Sequence, residues 1–154
     1  MGKFQSTKIF DGFSTVFRQW KAEETHCKYL HGYGVSFKVW FEGELDEKNW
    51  VWDFGGMKRA KTQIDGMSPK EWMDYMFDHT IIVAEDDPYI NTLQQLDNAG
   101  IAQVRIVPAT GAEKFAEFIF KKLNTFVRTE TNDRVHVKKV EFMEHNKNTA
   151  IYEH

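Results

Sequence analysis

The chain has 154 residues, about the length of one domain, and 42% of them are hydrophobic, so we expect a single domain over 1–154 with its own core. A net charge of -3, with no clustered face of Lys and Arg, argues against a nucleic-acid partner. No apolar run is long enough to cross a membrane, and the start MGKFQSTKIF lacks the basic-then-apolar order of a signal peptide, so we expect a cytoplasmic protein with no membrane partner.

The first predicted elements are two strands joined by a loop. The segment VSFKVWFEGEL alternates apolar and polar residues, which is typical of a strand with one covered face. The preceding FQSTKIFDGFSTVFRQW is a weaker strand, interrupted near Asp11 and Gly12. The loop contains ETHCKYLHGYG with the only cysteine, Cys27, which cannot form an internal disulfide and is either a buried or a reactive thiol.

Helical spacing follows the two strands. We predict helices in GGMKRAKTQI and in SPKEWMDYMF, the second opened by a capping box from Ser68 to Glu71. The segment DDPYINTLQQLDNAG predicts a short helix ending at Gly100, and IAQVRIV is expected to be extended. The segment TGAEKFAEFIFKKL has the clearest apolar stripe, and we expect a second capping box there from Thr110 to Glu113.

Two further strands, DRVHVKKVEFME and TAIYEH, close the chain. The apolar phase changes between Val137 and Val140, which predicts a β-bulge. The order of strands, helices and strands predicts an α+β fold, in which a small antiparallel sheet is covered by helices on one face. Because edge strands are usually paired or covered, we expect association between copies through the sheet.

Ionisable side chains lie next to several predicted connections. Cys27 is a candidate base or nucleophile if a His held by a carboxylate lies beside it, and Asp78 with His79 supplies such a pair. The competing interpretation is a small core thiol and a helix-end aspartate. His26 and His31 are five residues apart and would need a third ligand to hold a metal.

Two glutamates have both a structural and a binding interpretation. Glu144 lies near a strand end, where a buried carboxylate would bind a planar amidine-like ring through paired hydrogen bonds and an exposed one would only be solvated. Glu113 is explained by the expected capping box with Thr110 unless other observations assign it to a site.

These segments, in this order, resemble the 6-pyruvoyltetrahydropterin synthase and 6-carboxytetrahydropterin synthase family over nearly the whole chain. The stretch CKYLHGYGVSFKVWFEGELD followed by WVWDFGGMK is similar to the family's C-x-x-x-H-G-H, strand, E-G-x-L-D and V-x-D-F-x-x-L-K sequence. FDHTIIV is similar to its L-D-H motif and ATGAEKFAEFIF to its P-T-x-E-x-x-A helix start. In EHNKNTAIY the glutamate precedes the tyrosine by eight residues, as in the family's closing motif.

The resemblance implies a tunnelling fold, in which a four-stranded antiparallel sheet with helices on one side joins other copies in trimeric barrels and then hexamers, with sites between subunits. It implies a lyase that acts on 7,8-dihydroneopterin triphosphate or a related pterin, in bacteria on the way to queuosine-type deazaguanines. Cys27 would act in proton transfer at the pterin side chain, Asp78 and His79 would complete the acid-base relay, and Glu144 with Glu113 would hold the pterin ring.

The chain departs from the family at the zinc site, which the resemblance implies is held by three histidines. Phe17 and Tyr33 stand at two of these positions, and His31 alone remains. We therefore expect no zinc, unless a rearranged site forms around His31 with His26, a carboxylate or an ionised Tyr33.

Two functions follow from these observations. One is a lyase that uses Cys27, Asp78 and His79 without a Lewis acid, and the other is a non-catalytic or metal-free homologue that binds pterins. A cysteine hydrolase is disfavoured because no oxyanion-hole motif is recognisable.

Overall fold

The structure is a computed structural model and describes residues 2–154. A short 3-10 turn at His26–Lys28 interrupts the loop between the first two strands. No helix in this range is both long and apolar enough to span a membrane. The strands and helices are, in chain order, β1 (Phe4–Phe17), β2 (His31–Gly43), α1 (Gly56–Arg59), α2 (Pro69–Phe77), β3 (Thr80–Ala84), α3 (Ile90–Asn98), β4 (Val104–Val107), α4 (Ala112–Glu130), β5 (Val135–His145) and β6 (Asn148–Glu153).

The strands form a six-stranded mixed sheet in the order β4-β3-β1-β2-β5-β6. Strands β1, β2, β5 and β6 are antiparallel neighbours, as expected, but β3 pairs parallel to β1 and β4 parallel to β3. The prediction of a four-stranded antiparallel sheet is therefore wrong for the whole sheet. The reason is that TIIVA in β3 is a continuous apolar run, which periodicity cannot distinguish from a buried helix segment.

Both predicted irregularities are β-bulges. In β1, Phe10 pairs opposite Phe37 and Phe13 pairs opposite Val35, so β1 has one more residue than β2 between these two pairs. Gly12, with a φ of 83°, lies in this bulge. In β5 the pairing moves across Lys138, which has no partner in the register with β2. Each bulge restores the buried phase of its strand after a break in the apolar alternation.

Helices α2 and α4 cover one face of the sheet and form the core with it. Phe115 of α4 lies 5.2 Å, between ring centroids, from Phe142 of β5, and Phe77 of α2 lies 5.8 Å from Phe37 of β2. The largest fully buried side chains are Trp72, Phe17, Phe37, Phe41, Phe77, Phe115, Phe126 and Phe142. This face matters for function because the ends of β1 and β2 present further side chains on it.

The two expected capping boxes have different outcomes. The Ser68 Oγ accepts a hydrogen bond from the Glu71 N–H at 3.2 Å, which confirms Ser68 as the N-cap of α2, and the Glu71 carboxylate accepts from the Ser68 hydroxyl at 3.1 Å in place of the Ser68 N–H. The second is wrong, because the N-cap of α4 is Gly111, without a side-chain cap, and the Thr110 hydroxyl donates to the Arg18 carbonyl at 2.6 Å. Glu113 thus loses its structural explanation as a cap partner.

Candidate functional site

The candidate site lies where β1 ends and β2 begins, on the face covered by helices. Phe17 pairs opposite His31 and is 1% exposed. Tyr33 is in phase with His31 along β2, and Glu144 is in phase with the buried Phe142 along β5. Alternation along each strand therefore directs His31, Tyr33 and Glu144 towards the same side of the sheet.

Aromatic packing occupies the positions where the family resemblance implies zinc ligands. The Phe17 ring stacks on the Tyr33 ring at 4.9 Å between centroids, and the His31 and Tyr33 rings are 4.7 Å apart. The His31 Nδ1 donates to the Tyr29 carbonyl at 2.6 Å, which leaves Nε2 to accept a hydrogen bond from the Tyr33 hydroxyl. Both nitrogens of this imidazole are thus engaged within the chain.

This donor set does not fit a three-histidine zinc site. Phe17 offers only carbon, and burial, together with the negative charges of Glu144 and Cys27, raises the pKa of the Tyr33 hydroxyl and so keeps it neutral. A neutral phenol is a poor zinc ligand, and one imidazole falls short of the three protein ligands of an open zinc site. Within residues 2–154, no cluster of three or more His, Cys, Asp or Glu side chains has a metal-binding arrangement.

The two glutamates assigned to ring binding are brought together. Burial raises the pKa of the Glu144 carboxyl, and the negative charge of Glu113 raises it further, while His145 and His31 oppose the shift. Glu144 is half-buried, whereas Glu113 is exposed at the first turn of α4. A partly desolvated carboxyl of this kind can make paired hydrogen bonds to a planar N–C–N group, as carboxylates do with Arg.

Cys27 lies in the 3-10 turn of the connecting loop and is partly exposed. Its N–H donates to the Thr25 Oγ1 at 3.1 Å, and its carbonyl accepts from the Gln19 N–H at 2.7 Å. The Cys27 charge acts on the pKa of Tyr33, so the thiol and the aromatic group share one neighbourhood. The structure therefore places Cys27, Tyr33, Glu144 and Glu113 around the same end of the sheet.

An ion pair that the sequence analysis did not identify holds this loop. The Arg18 guanidinium donates to both carboxylate oxygens of Asp87 at 2.9 Å each and to the Lys28 carbonyl, next to Cys27, at 3.0 Å. Burial would raise the pKa of Asp87, but the hydrogen bonds from Arg18 and from the Tyr89 N–H outweigh it and lower the pKa. Local sequence gives no sign of this pair, because its members are 69 positions apart.

Asp78 and His79 form the expected pair, but away from Cys27 of the same chain. The His79 Nδ1 lies 3.0 Å from the Asp78 Oδ1, and the His79 side chain is 78% exposed. The His79 N–H donates to the Ser14 carbonyl, and Ser14 precedes Phe17 by three strand positions, which corresponds to about 10 Å. The pair therefore faces solvent at a distance from the loop with the thiol.

The backbone of His79 is also unusual, since its φ of 57° lies in the left-handed region. A residue other than glycine is held there at a cost on the order of 1–3 kcal/mol, and such residues cluster at functional sites. The Nδ1 of His79 lies within ion-pair distance of Asp78, and the largely exposed ring is open to other partners, an arrangement that suits a general acid or base.

Comparisons with known proteins agree with the fold. The chain matches the family model described as 6-pyruvoyl tetrahydropterin synthase over residues 7–154, while no curated protein sequence is significantly similar to it. An uncharacterised protein from Wolinella succinogenes has a TM-score of 0.79 at 21% identity, with 99% of each chain covered.

Two solved 6-pyruvoyl tetrahydropterin synthases are also similar in structure. The enzyme from Caenorhabditis elegans has a TM-score of 0.63 at 19% identity, with 100% of this chain and 97% of that chain covered. The one from Plasmodium vivax has a TM-score of 0.66 at 12% identity, with 98% of each chain covered. At these identities the likeness establishes a shared fold, and activity has to be argued from the site.

The donor set gives a prediction about zinc. We expect the purified, dialysed protein to contain far less than one zinc per chain, because His31 alone cannot retain the ion. The double variant Phe17→His/Tyr33→His should gain about one zinc per chain, since it restores three imidazoles. Elemental analysis of both proteins measures this. One zinc per chain in the unaltered protein, lost in His31→Ala, would contradict the prediction.

The raised pKa of Glu144 gives a prediction about stability. A carboxyl with a folded-state pKa above its ordinary value of 4.5 opposes folding as pH rises past that value. Glu144→Gln should therefore have a higher Tm than the unaltered protein at pH 7, and the difference should vanish towards pH 3. The matched control is Glu141→Gln on the opposite face of β5, for which we expect little change. Equal Tm values for Glu144→Gln and Glu141→Gln at pH 7 would contradict the prediction that the buried charge of Glu144 lowers stability.

Proposed function

Because the chain belongs to the 6-pyruvoyl tetrahydropterin synthase family, we propose that it is a pterin-processing lyase that acts on 7,8-dihydroneopterin triphosphate or a related pterin. The observation that carries this proposal is the convergence of a thiol and two carboxylates, Cys27, Glu144 and Glu113, at one end of the sheet. A pterin offers the complementary groups, a flat ring with an amidine-like edge and a side chain whose protons can be moved.

Ring recognition is assigned to the carboxylates. Glu144 accepts hydrogen bonds from the amidine-like edge of the pterin, and its partial burial favours a ligand that supplies donors in place of water. Glu113 lies close enough to share this task, since its charge acts on Glu144. The partly exposed Tyr33 ring, backed by the buried Phe17 ring, offers an apolar wall of the kind that flat ligands bind against.

Proton transfer is assigned to Cys27 and to the pair of Asp78 and His79. The Cys27 thiolate takes a proton from the pterin side chain, and the His79 imidazole, oriented by Asp78, gives or takes the second proton. Because this pair is about 10 Å or more from Cys27 in the same chain, it serves the thiol of a neighbouring copy. We therefore propose a trimer or a dimer of trimers joined through the sheets, with sites at subunit boundaries.

A second function is favoured by one observation. The aromatic packing of Phe17, His31 and Tyr33 leaves no Lewis acid of the type that the family resemblance implies. A homologue that binds pterins without turnover would keep Glu144 and have no use for the exposed pair of Asp78 and His79. The presence of this pair in the chain favours the lyase.

The lyase and the binding protein differ in their response to loss of the thiol. Cys27→Ala should lower kcat by at least about 100-fold and leave pterin affinity within about 2-fold, because it removes a proton-transfer group and little volume. Glu144→Gln should weaken pterin binding about 10-fold or more, since a hydrogen bond to a charged group is lost. Turnover assays and equilibrium binding of the same pterin measure both effects. Equal turnover by Cys27→Ala and the unaltered protein would sink the proposed mechanism.

Sharing of a site between copies can be tested by mixing inactive variants. When Cys27→Ala and His79→Ala chains are co-expressed, about a quarter of the sites in a random assembly would combine an intact thiol with an intact neighbouring imidazole. We expect activity near that fraction of the unaltered level. The matched control mixes Asp78→Ala with His79→Ala, which belong to one acid-base pair on the same chain and should not complement each other. Mixed oligomers without recovered activity, or a monomer in sedimentation at micromolar concentration, would exclude the shared site.

A further inference from the structure

A cavity of about 470 Å³ lies between β1, α1 and the start of α2, and its lining differs from that of the candidate site. Four cationic side chains line it, Lys8, Lys58, Arg59 and Lys70, together with a single carboxylate, Asp11. The cavity is therefore positively charged, although the chain as a whole has a net charge of -3. We propose that the cavity binds a polyphosphate group.

The cations are only weakly engaged within the chain. The Arg59 Nη2 lies 3.6 Å from the Asp53 Oδ2, and the Lys70 Nζ lies 3.1 Å from the Asp74 Oδ1. The two cationic side chains and the two carboxylates of these pairs are each at least 40% exposed. Exposed ion pairs of this kind contribute about 0–1 kcal/mol, so a polyvalent anion can replace them. In the part of the chain that the structure describes, Lys8 and Lys58 have no carboxylate partner, and Lys8 lies 6.0 Å from the Phe54 ring centroid.

Gly55 shapes the wall of this cavity. A Cβ atom at Gly55 would overlap the Arg59 guanidinium, so the absence of a side chain lets that guanidinium lie against the backbone. The guanidinium is 71% exposed and is held only by its 3.6 Å contact with Asp53, so its two parallel N–H donors are open to phosphate oxygens. The glycine therefore leaves room for Arg59 at the wall of the cavity.

The cavity and the acid-base pair lie along one face of α2. Lys70 and Asp74 are four residues apart on one face of α2, and Asp78 is the C-cap residue directly after the helix, about 12 Å along the chain from Lys70. The Lys70 Nζ lies 5.4 Å from the Phe13 ring centroid, and the Asp78 Oδ1 accepts from the N–H of Ser14, the next residue of β1. The cations thus continue the surface that carries His79.

This arrangement indicates which substrate group the cavity receives, an assignment that rests on the proposed function. The cavity extends from Lys8, nine strand positions and about 25 Å or more before Phe17, to Lys70 beside Phe13, about 13 Å before Phe17, so it does not adjoin the Cys27 site of its own chain. If His79 serves a neighbouring copy, the same subunit also supplies the cations along α2. The triphosphate of a pterin held by one copy then lies in the cavity of the copy that contributes the acid-base pair.

Inorganic triphosphate tests the cavity independently of any pterin. Calorimetric titration should show binding to the unaltered protein, at least 10-fold weaker binding to Lys58→Gln/Lys70→Gln, and binding within 2-fold of the original for the control Lys61→Gln/Lys121→Gln, which has the same change in charge. Absence of binding to the unaltered protein, or equal affinity of the two double variants, would overturn the proposal.

Pterins with and without phosphate test the identity of the ligand. For 7,8-dihydroneopterin triphosphate, Lys58→Gln/Lys70→Gln should raise KM at least 10-fold with kcat within 2-fold, and affinity for 7,8-dihydroneopterin should not change. Triphosphate binding without any pterin binding would retain the anion site and reject the proposed function. Turnover without triphosphate binding would reject only the anion site. Tight ATP binding to the cavity, with an unchanged KM for the pterin in the double variant, would assign it to a nucleotide and overturn the substrate assignment.

Discussion

The single extra residue in the bulge of β1 determines which side chains reach the candidate site. Before the bulge the buried phase of β1 includes Phe10, and after it the buried phase includes Phe13 and Phe17. Because side chains alternate along a strand, a register without the bulge would turn Phe17 away from His31 and expose it. Gly12, at a φ of 83°, permits the turn of backbone on which this phase change depends.

Aromatic packing occupies the positions at which the family resemblance implies zinc ligands. Phe17 and Tyr33 fill space near His31 with stacked rings, which stabilises the end of the sheet through burial. Burial at this end of the sheet also raises the pKa of both Tyr33 and Glu144, so the cost of burying polar groups falls on residues that a ligand would use.

Sequence patterns predicted those elements whose signals are local. Alternation revealed β2, the Ser68 box revealed the start of α2, and the change of phase before Val140 revealed the bulge at Lys138. The short parallel strand β3 was missed because TIIVA has no alternation, and the role of Thr110 was missed because its partner, the Arg18 carbonyl, is remote in sequence. Within the site, family motifs indicated Cys27 and the glutamates, but pairing across long sequence separations, as in Arg18 with Asp87, leaves no local pattern.

The ion pair of Arg18 and Asp87 has a consequence for how this sequence can diverge. The Asp87 side chain is 1% exposed, and loss of Arg18 would leave its charge buried and unpaired, at a cost of about 3–5 kcal/mol. Few single substitutions at either position are therefore tolerable in a marginally stable protein. Among sequences descended from this one, the two positions should therefore change together or not at all. The conformation of the loop with Cys27 then depends on a residue 69 positions from Arg18 in the sequence.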